Sequence, residues 1–565
     1  MTAHSGAVLL CEGLVACGAR IVFGVPGTQN VTLFEALRRS RLRTILTTSE
    51  LTATLMAGAY ARMTGSVGVV VTIPGPGFAF AVPGLAEAFL DSAPVLHITG
   101  LPATGPGRHF QLQALDQRAM ADPVVKAVRD VTTLAELAAA VPEEWARAAS
   151  GEPGPVVLQV ASSLLGADAG SLRAAAPSLP TAAPLLDDLM ARVREAQQPL
   201  VLAGQGAVAS SALLARWTAR GGIPVLTTPS GRGVIPEDHP LCLGFDPLRS
   251  DPAAVNEICA AADLILVLGC KLSHNGTSGF HLRLPADRLV HVDTSVDVLG
   301  ANYPAALMVC AGAEDVLTAL NGVDAPASRW VDGTIAEWRA AIRTPCAGDL
   351  PEPAVAGVPS GAPGDFFAAL RRALPRHGVV VTDSGMHQIL TRRYFDVLAP
   401  RGLLLPSDLQ TMGFGIPAAV AAKLAVPERP VTVVVGDGGL AVTGTELLTA
   451  AREGLALVAV VFDDGYLNQI RLQQLRDFGR THAVTLGPLN VAAFAAAVGA
   501  DYLPVGEDVE STVRDAHGAK RPVVVHVPVG DSTAVMRQRA SSAVREGARR
   551  AMGPGLTRWL KSLKP

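Results

Sequence analysis

What this 565-residue sequence lacks narrows it first. Its 7 cysteines form no CxxC pair and show no metal-ligand spacing. Scattered at 11, 17, 242, 259, 270, 310 and 346, they predict reduced thiols in the cytoplasm and neither a disulfide framework nor a zinc site. No Lys or Arg precedes the first apolar stretch, which Glu12 interrupts, so neither a signal peptide nor a transit peptide is expected. No apolar run reaches ~18 residues without a charge or several glycines, and no membrane-spanning helix is expected. Charged residues make up only 17% and nearly balance at -3, which leaves no electrostatic footprint for nucleic acid or an anionic membrane. What is plentiful is apolar surface, 49% of residues, with 56 glycines. That suits a large α/β protein, part of whose surface is buried between subunits.

Two Pro/Ala-rich stretches, 166–184 and 344–364, cannot bury enough apolar surface to fold as elements and predict linkers. They divide the chain into units at 1–168, 185–343 and 364–531, followed by an Arg/Ala-rich tail, 532–565, expected as one or two exposed helices. Each unit alternates short β-branched runs with helical patterns: 20–23, 44–47, 67–72 and 95–99, then 199–202, 263–268 and 288–292, then 378–382, 431–435 and 456–462. Continuous apolar strands separated by helices predict three doubly wound parallel-sheet domains. Ligands of such sheets bind beyond the carboxyl ends of the strands.

In VTVVVGDGGL a predicted strand ends in Gly436, Asp437, Gly438 and Gly439. Small residues there allow backbone amides to approach a phosphate, and a helix start expected at about Thr443 favours an anion. A second strand, ALVAVVF, runs into Asp463 and Asp464, so neighbouring strands would bring Asp437 and Asp464 to one sheet edge. Magnesium takes a few hard oxygen ligands and completes its shell with phosphates and water. By itself, a glycine-flanked Asp is equally a plain strand-end turn. Glu50, likewise, stands where acidic residues favour a helix N-terminus.

The GDG run followed roughly 27 residues on by a polar pair and Ile resembles the thiamine-diphosphate signature. Here the second part reads Asp463-Asp464-Gly465-Tyr466-Leu467-Asn468-Gln469-Ile470, where the family usually has Asn-Asn-x-x-Tyr-Gly-x-Ile. Segments 18–40 and 45–71 resemble the pyrimidine-binding domain of acetolactate synthases and 2-oxo acid decarboxylases. PGPGFAFAVPGLAEAFLDSAPVLHITG (74–100), TDSGMHQ (382–388) and TMGFGIPAA (411–419) resemble further segments of that family. The resemblance implies pyrimidine-binding, Rossmann-like middle and diphosphate-binding domains. It makes Glu50 the buried carboxyl that activates the aminopyrimidine, and Asp437, Asp464 and the Tyr466 carbonyl the Mg²⁺ ligands. Pro76, Gly385, Met386, His387, Gln410, Met412, Gly436, Gly438, Gly439, Leu467 and Asn468 become cofactor contacts, with Met412 wedged beneath the bent cofactor. Ser49 replaces the family's usual His, and Gln410 replaces a glycine two residues before the Met.

Around the reacting carbon the resemblance points to His109 and Gln111 as further catalytic groups. Thr28, Gln29, Asn30, Phe110, Gln469 and Arg471 become substrate contacts. The His-His pair of pyruvate-type decarboxylases is missing, and no Trp follows the metal segment as it does in the synthases. In the middle domain, PLVLAGQG and LILVLGCKLSHNG are glycine turns; related synthases bind FAD there, but a structural spacer is the favoured expectation. The implied protein is a homodimer or homotetramer acting on a 2-oxo acid through a thiazolium enamine, as an acetolactate-synthase-like carboligase. A simple decarboxylase releasing an aldehyde is the alternative, and a catalytically inactive regulatory homologue is a rival of another class. A nicotinamide dehydrogenase would need a fuller GxGxxG turn with a ribose-binding acid.

Overall fold

Valine-rich runs become strands here because both faces of each sheet are covered by helices, which rewards continuous apolar sequence over alternation. Gly68–Val71, Val431–Gly436 and Val458–Asp463 are buried along almost their whole length. A computed structural model describes residues 4–101, 111–175, 186–326, 328–343 and 352–530. The expected tail, with parts of both linkers, lies outside the described residues.

Three parallel sheets organise the chain. From edge to edge the first runs Arg43–Leu46, Ile21–Gly24, Gly68–Val71, Val95–Leu101, Pro155–Ala161, Ala127–Val131. The third runs Leu403–Leu404, Val379–Thr382, Val431–Gly436, Val458–Asp463, Val523–Pro528, Asp501–Pro504. Taken in chain order within each unit, both have the spatial order 2-1-3-4-6-5, so the two outer modules share one topology. The middle sheet has five strands: Leu307–Cys310, Leu289–Asp293, Leu264–Leu268, Pro199–Ala203 and Val225–Thr227. The second expected linker is shorter than its composition suggests, because Pro363 opens the helix Pro363–Ala373; proline's fixed φ suits a first helical position.

The outer modules share a core. Helix Glu50–Thr64 of the first packs on helix Gly415–Ala425 of the third, and their many alanines and glycines let the two approach closely. Ala53, Met56, Ala57 and Phe78 join Phe414, Ile416, Ala419 and Ala422 in one buried cluster. The middle and third modules meet across the buried ion pair of Arg392 with Asp246 at 2.8 Å, and Arg232, paired within the middle module to Glu237 at 2.6 Å, donates to the Arg392 and Phe395 carbonyls of the third. The six described cysteines are all unpaired. Among the described residues no helix is long and apolar enough to cross a membrane.

Candidate active site

Parallel pairing sets Gly436 opposite Phe462, so the two strands end together and deliver Asp437 and the Asp463–Asp464 pair to one edge. Asp437 is itself the first residue of helix Asp437–Thr443; the helix starts six residues earlier than the Thr443 expected from sequence. Glycines suggested a loop, yet they are what the early start requires. A Cβ at Gly439 would lie 2.6 Å from Asp383 Oδ2 and 2.9 Å from Val435 Cγ2. Gly439→Ala should therefore cost roughly 1–3 kcal/mol of overpacking, read as a lower melting temperature together with weakened cofactor binding.

Asp437 accepts from Gly438 N–H and, through its other oxygen, from Gly465 N–H, each at 2.8 Å. Asp464 accepts from Tyr466 N–H at 2.9 Å. Burial, then the nearby Asp464 charge, pushes Asp437 up to about 7. Burial likewise raises Asp464 to about 6, against the pull of its backbone donor and Arg471. Two crowded carboxylates of this kind form a natural seat for a divalent cation. No group of three or more His, Cys, Asp or Glu converges among the described residues. Two carboxylates suffice for a magnesium ion that takes its remaining ligands from carbonyl, water and phosphate.

The surroundings fit a diphosphate in several places. His387 is buried beside Gly436, where a Cβ would sit 3.0 Å from its Nδ1; its Nε2 has no partner, and burial lowers the ring to about 4, leaving it neutral. A Cβ at Gly438 would meet Leu467, Leu486 and the Met412 sulfur, so these side chains frame a pocket over that glycine. Met412 is 43% exposed at its rim, and Asn468 is buried with its carboxamide Oδ1 unpartnered. Gly385, at φ 140°, caps helix Met386–Tyr394, whereas the Met386 side chain packs into the apolar core of the third module. Gln410 holds φ 63° where a glycine is usual in the family it resembles. Its side-chain amide donates to the Pro406 and Ser407 carbonyls, offsetting left-handed strain of roughly 1–2 kcal/mol.

Asp383 was missed as a candidate. It is fully buried, pushed up to about 6 by burial, and accepts from Ser384 and Gly413 N–H at 2.6 and 2.9 Å. It ties the TDSG loop to the Met412 turn; its sequence signals are an Asp directly after a buried strand and its place in the TDSGMHQ segment.

Glu50 is the first residue of its helix, capped by Ser49 in a reciprocal capping box with Thr52. Its carboxylate is only half-buried in the single chain, short of the burial expected from sequence. A Cβ at Gly77 would stand 3.0 Å from its Oε1, so the 74–77 loop lies over it. Pro76 is the exposed first residue of the next helix, Pro76–Leu90. Gly75, at φ 69°, is held by Gln117 Oε1 at 2.8 Å, and a Cβ there would meet the Gln113 carbonyl at 2.5 Å. No hydrogen bond or ion pair joins Glu50 to Asp437 or Asp464 among the described residues.

Of the residues expected around the reacting carbon, His109 and Phe110 lie outside the described residues. Gln111 is half-buried and Thr28 exposed. Gln29 donates to Gln113 at 2.5 Å. Asn30 is buried and turns inward, accepting from Gly27 N–H at 2.8 Å. Gln469 is half-buried on the helix after the Asp463–Asp464 pair, and the Arg471 guanidinium stacks 4.0 Å over the Tyr466 ring. In the middle module the two glycine turns border a cavity of about 300 Å³ shared with the outer modules. Asp293, at the end of strand Leu289–Asp293, lines that cavity and was passed over in the sequence.

Three domain families match this chain in the same order. The N-terminal TPP-binding domain of thiamine pyrophosphate enzymes covers residues 4–120, their central domain 186–320, and their C-terminal TPP-binding domain 383–527. The chain belongs to the thiamine pyrophosphate enzymes, within the acetolactate synthase and 2-oxo acid decarboxylase type. A probable acetolactate synthase large subunit of Methanocaldococcus jannaschii is 28% identical, across 94% of this chain and 93% of its own. A probable 2-ketoarginine decarboxylase of Pseudomonas aeruginosa is 33% identical, across 80% and 81%. Acetolactate synthase isozyme 1 large subunit of Escherichia coli is 27% identical, across 93% and 94%.

Proposed function

We propose that the protein decarboxylates a 2-oxo acid and joins the remaining fragment to a second carbonyl compound, in the manner of an acetolactate synthase. The observation that carries the reading is the Asp437–Asp464 pair, set at neighbouring strand ends beside a glycine cradle. Asp437, Asp464 and the Tyr466 carbonyl would hold Mg²⁺, with the diphosphate over Gly436, Gly438 and Gly439 and near His387. Thiamine diphosphate bound there would supply an electron sink for the bonding pair that CO2 leaves behind. The chain's own work is narrower. Glu50 would hold a proton at the pyrimidine ring and Met412 would support the cofactor, while the family resemblance assigns Gln111 and His109 to the reacting carbon, His109 lying outside the described residues. A partner subunit is part of the proposal. Phe80 and Leu112 of the first module are 63% and 86% exposed, and covering them with a second copy would also bury Glu50. The unpaired thiols suit the cytoplasm.

A simple decarboxylase is the second reading, supported by the 33% identity to the 2-ketoarginine enzyme. A panel of 2-oxo acids, assayed with thiamine diphosphate and Mg²⁺, separates the two. CO2 accompanied by a hydroxyketone is expected; CO2 with aldehyde alone would replace the carboligase with the decarboxylase.

A further inference from the structure

Two buried glutamates bridge the seam between the outer modules in equivalent ways. Glu446, fully buried on the turn Gly444–Glu446, uses Oε2 to accept from Thr48 N–H at 3.1 Å and from Thr48 Oγ1–H at 2.6 Å. Glu87, buried near the end of helix Pro76–Leu90, uses Oε2 to accept from Thr411 N–H at 3.0 Å. In both, Oε1 is buried without a partner. Each glutamate follows the glycine turn after the third strand of its own module. Each reaches across to the turn that precedes the helix packed on the other side. Thr48 stands two residues before Glu50, and Thr411 one before Met412.

A carboxylate with one oxygen stranded in an apolar seam costs stability, so packing does not explain it. What it supplies is one rigid acceptor for two donors of the same residue. Leu46, just upstream, is held from the same side: its carbonyl accepts from Thr449 Oγ1–H at 3.1 Å and from Arg452. The third module therefore grips the strand end and turn that set where Glu50 begins its helix.

We propose that Glu446 is a positioning residue for Glu50, fixing the 47–49 turn so that the Glu50 carboxyl projects at the height the pyrimidine ring needs. The inference rests on the reading of Glu50 as the activating group. A misplacement of about 1 Å at a reacting group can cost about 100-fold in rate. Glu446→Ala is therefore expected to lower kcat by about 30- to 100-fold, with KM and the cofactor Kd, measured by calorimetry, within about threefold of wild type. Exchange of the bound cofactor's C2 proton, followed by NMR, should slow in parallel with kcat. Glu446→Gln keeps an acceptor oxygen for Thr48 and should return both rates to within about fivefold. Should Glu446→Ala fail to fold, Thr48→Val removes one of the two bonds and should slow the exchange by about 3- to 10-fold.

Unchanged exchange in Glu446→Ala, or in Thr48→Val, overturns the proposal. So does equal loss in the Ala and Gln variants in step with melting temperature, which would mark a merely structural role. Glu50→Gln, measured alongside, tells the two failures apart. If it turns over normally, the reading of Glu50 has failed; if it is inactive while Glu446→Ala is normal, only the positioning role has.

Discussion

Glu50→Gln is expected to lower turnover by about 10²- to 10⁴-fold, the range that a positioned proton-transfer group contributes, while cofactor affinity changes by only a few-fold. The asymmetry follows from where the residue sits. Glu50 opens a helix whose cap is built by Ser49 and Thr52, so an amide there leaves the capping box and the buried helix face untouched. The proposed diphosphate and metal contacts belong to a different sheet and would lose nothing. What changes is the proton: an amide fills the same space but cannot exchange one with the ring. Steady-state kinetics paired with calorimetry checks both halves. Equal loss of binding and turnover would instead make Glu50 a structural anchor of the cofactor pocket.

The meeting of Asp437 and Asp464 at one sheet edge was legible because its signals are local. A valine run ending in GDGG fixes a strand, its end and its small residues within ten positions. A second run ending in two aspartates does the same, and parallel pairing then brings the ends together. The three-sheet α/β fold was readable for the same reason. Features that depend on through-space partners were not. That Gly439 has no room for a side chain beside Asp383 and Val435 is a neighbour relation no spacing reveals. Glu446 looks in sequence like any helix-start acid, and only the seam between modules shows that it reaches Thr48. Linkers divided the chain into three units on composition, yet the outer two share a buried cluster because alanine-rich helices from each pack together. Glu50 was expected to be buried, and the single chain leaves the residue half-exposed.

Removing either carboxylate of the Asp437–Asp464 pair should separate stability from function. In the apoprotein these groups repel each other and resist ionisation, Asp437 rising to about 7 and Asp464 to about 6. Each folded-state value lies above the ordinary carboxylate value. The stability such a group contributes is therefore present in full at low pH and is lost as pH rises through about 6 to 7. The metal-free protein should melt lower at pH 8 than at pH 5.5 on this account. Asp437→Asn removes the repulsion and should stabilise the apoprotein at pH 8 by roughly 2 kcal/mol, less than the full shift implies because water and backbone donors reach the pair. The same variant should lose the rise in melting temperature that Mg²⁺ and thiamine diphosphate together give the wild type, and with it nearly all turnover. Asp464→Asn should behave differently, since an amide oxygen still coordinates a hard cation and Asn is usual at that position in the family. It should keep a Mg²⁺-dependent shift and measurable activity, whereas Asp464→Ala should keep neither. Scanning calorimetry of the three variants, with and without cofactor and at both pH values, reads every one of these signs. An Asp437→Asn protein that is destabilised without metal yet still stabilised by cofactor would remove the pair from the metal site.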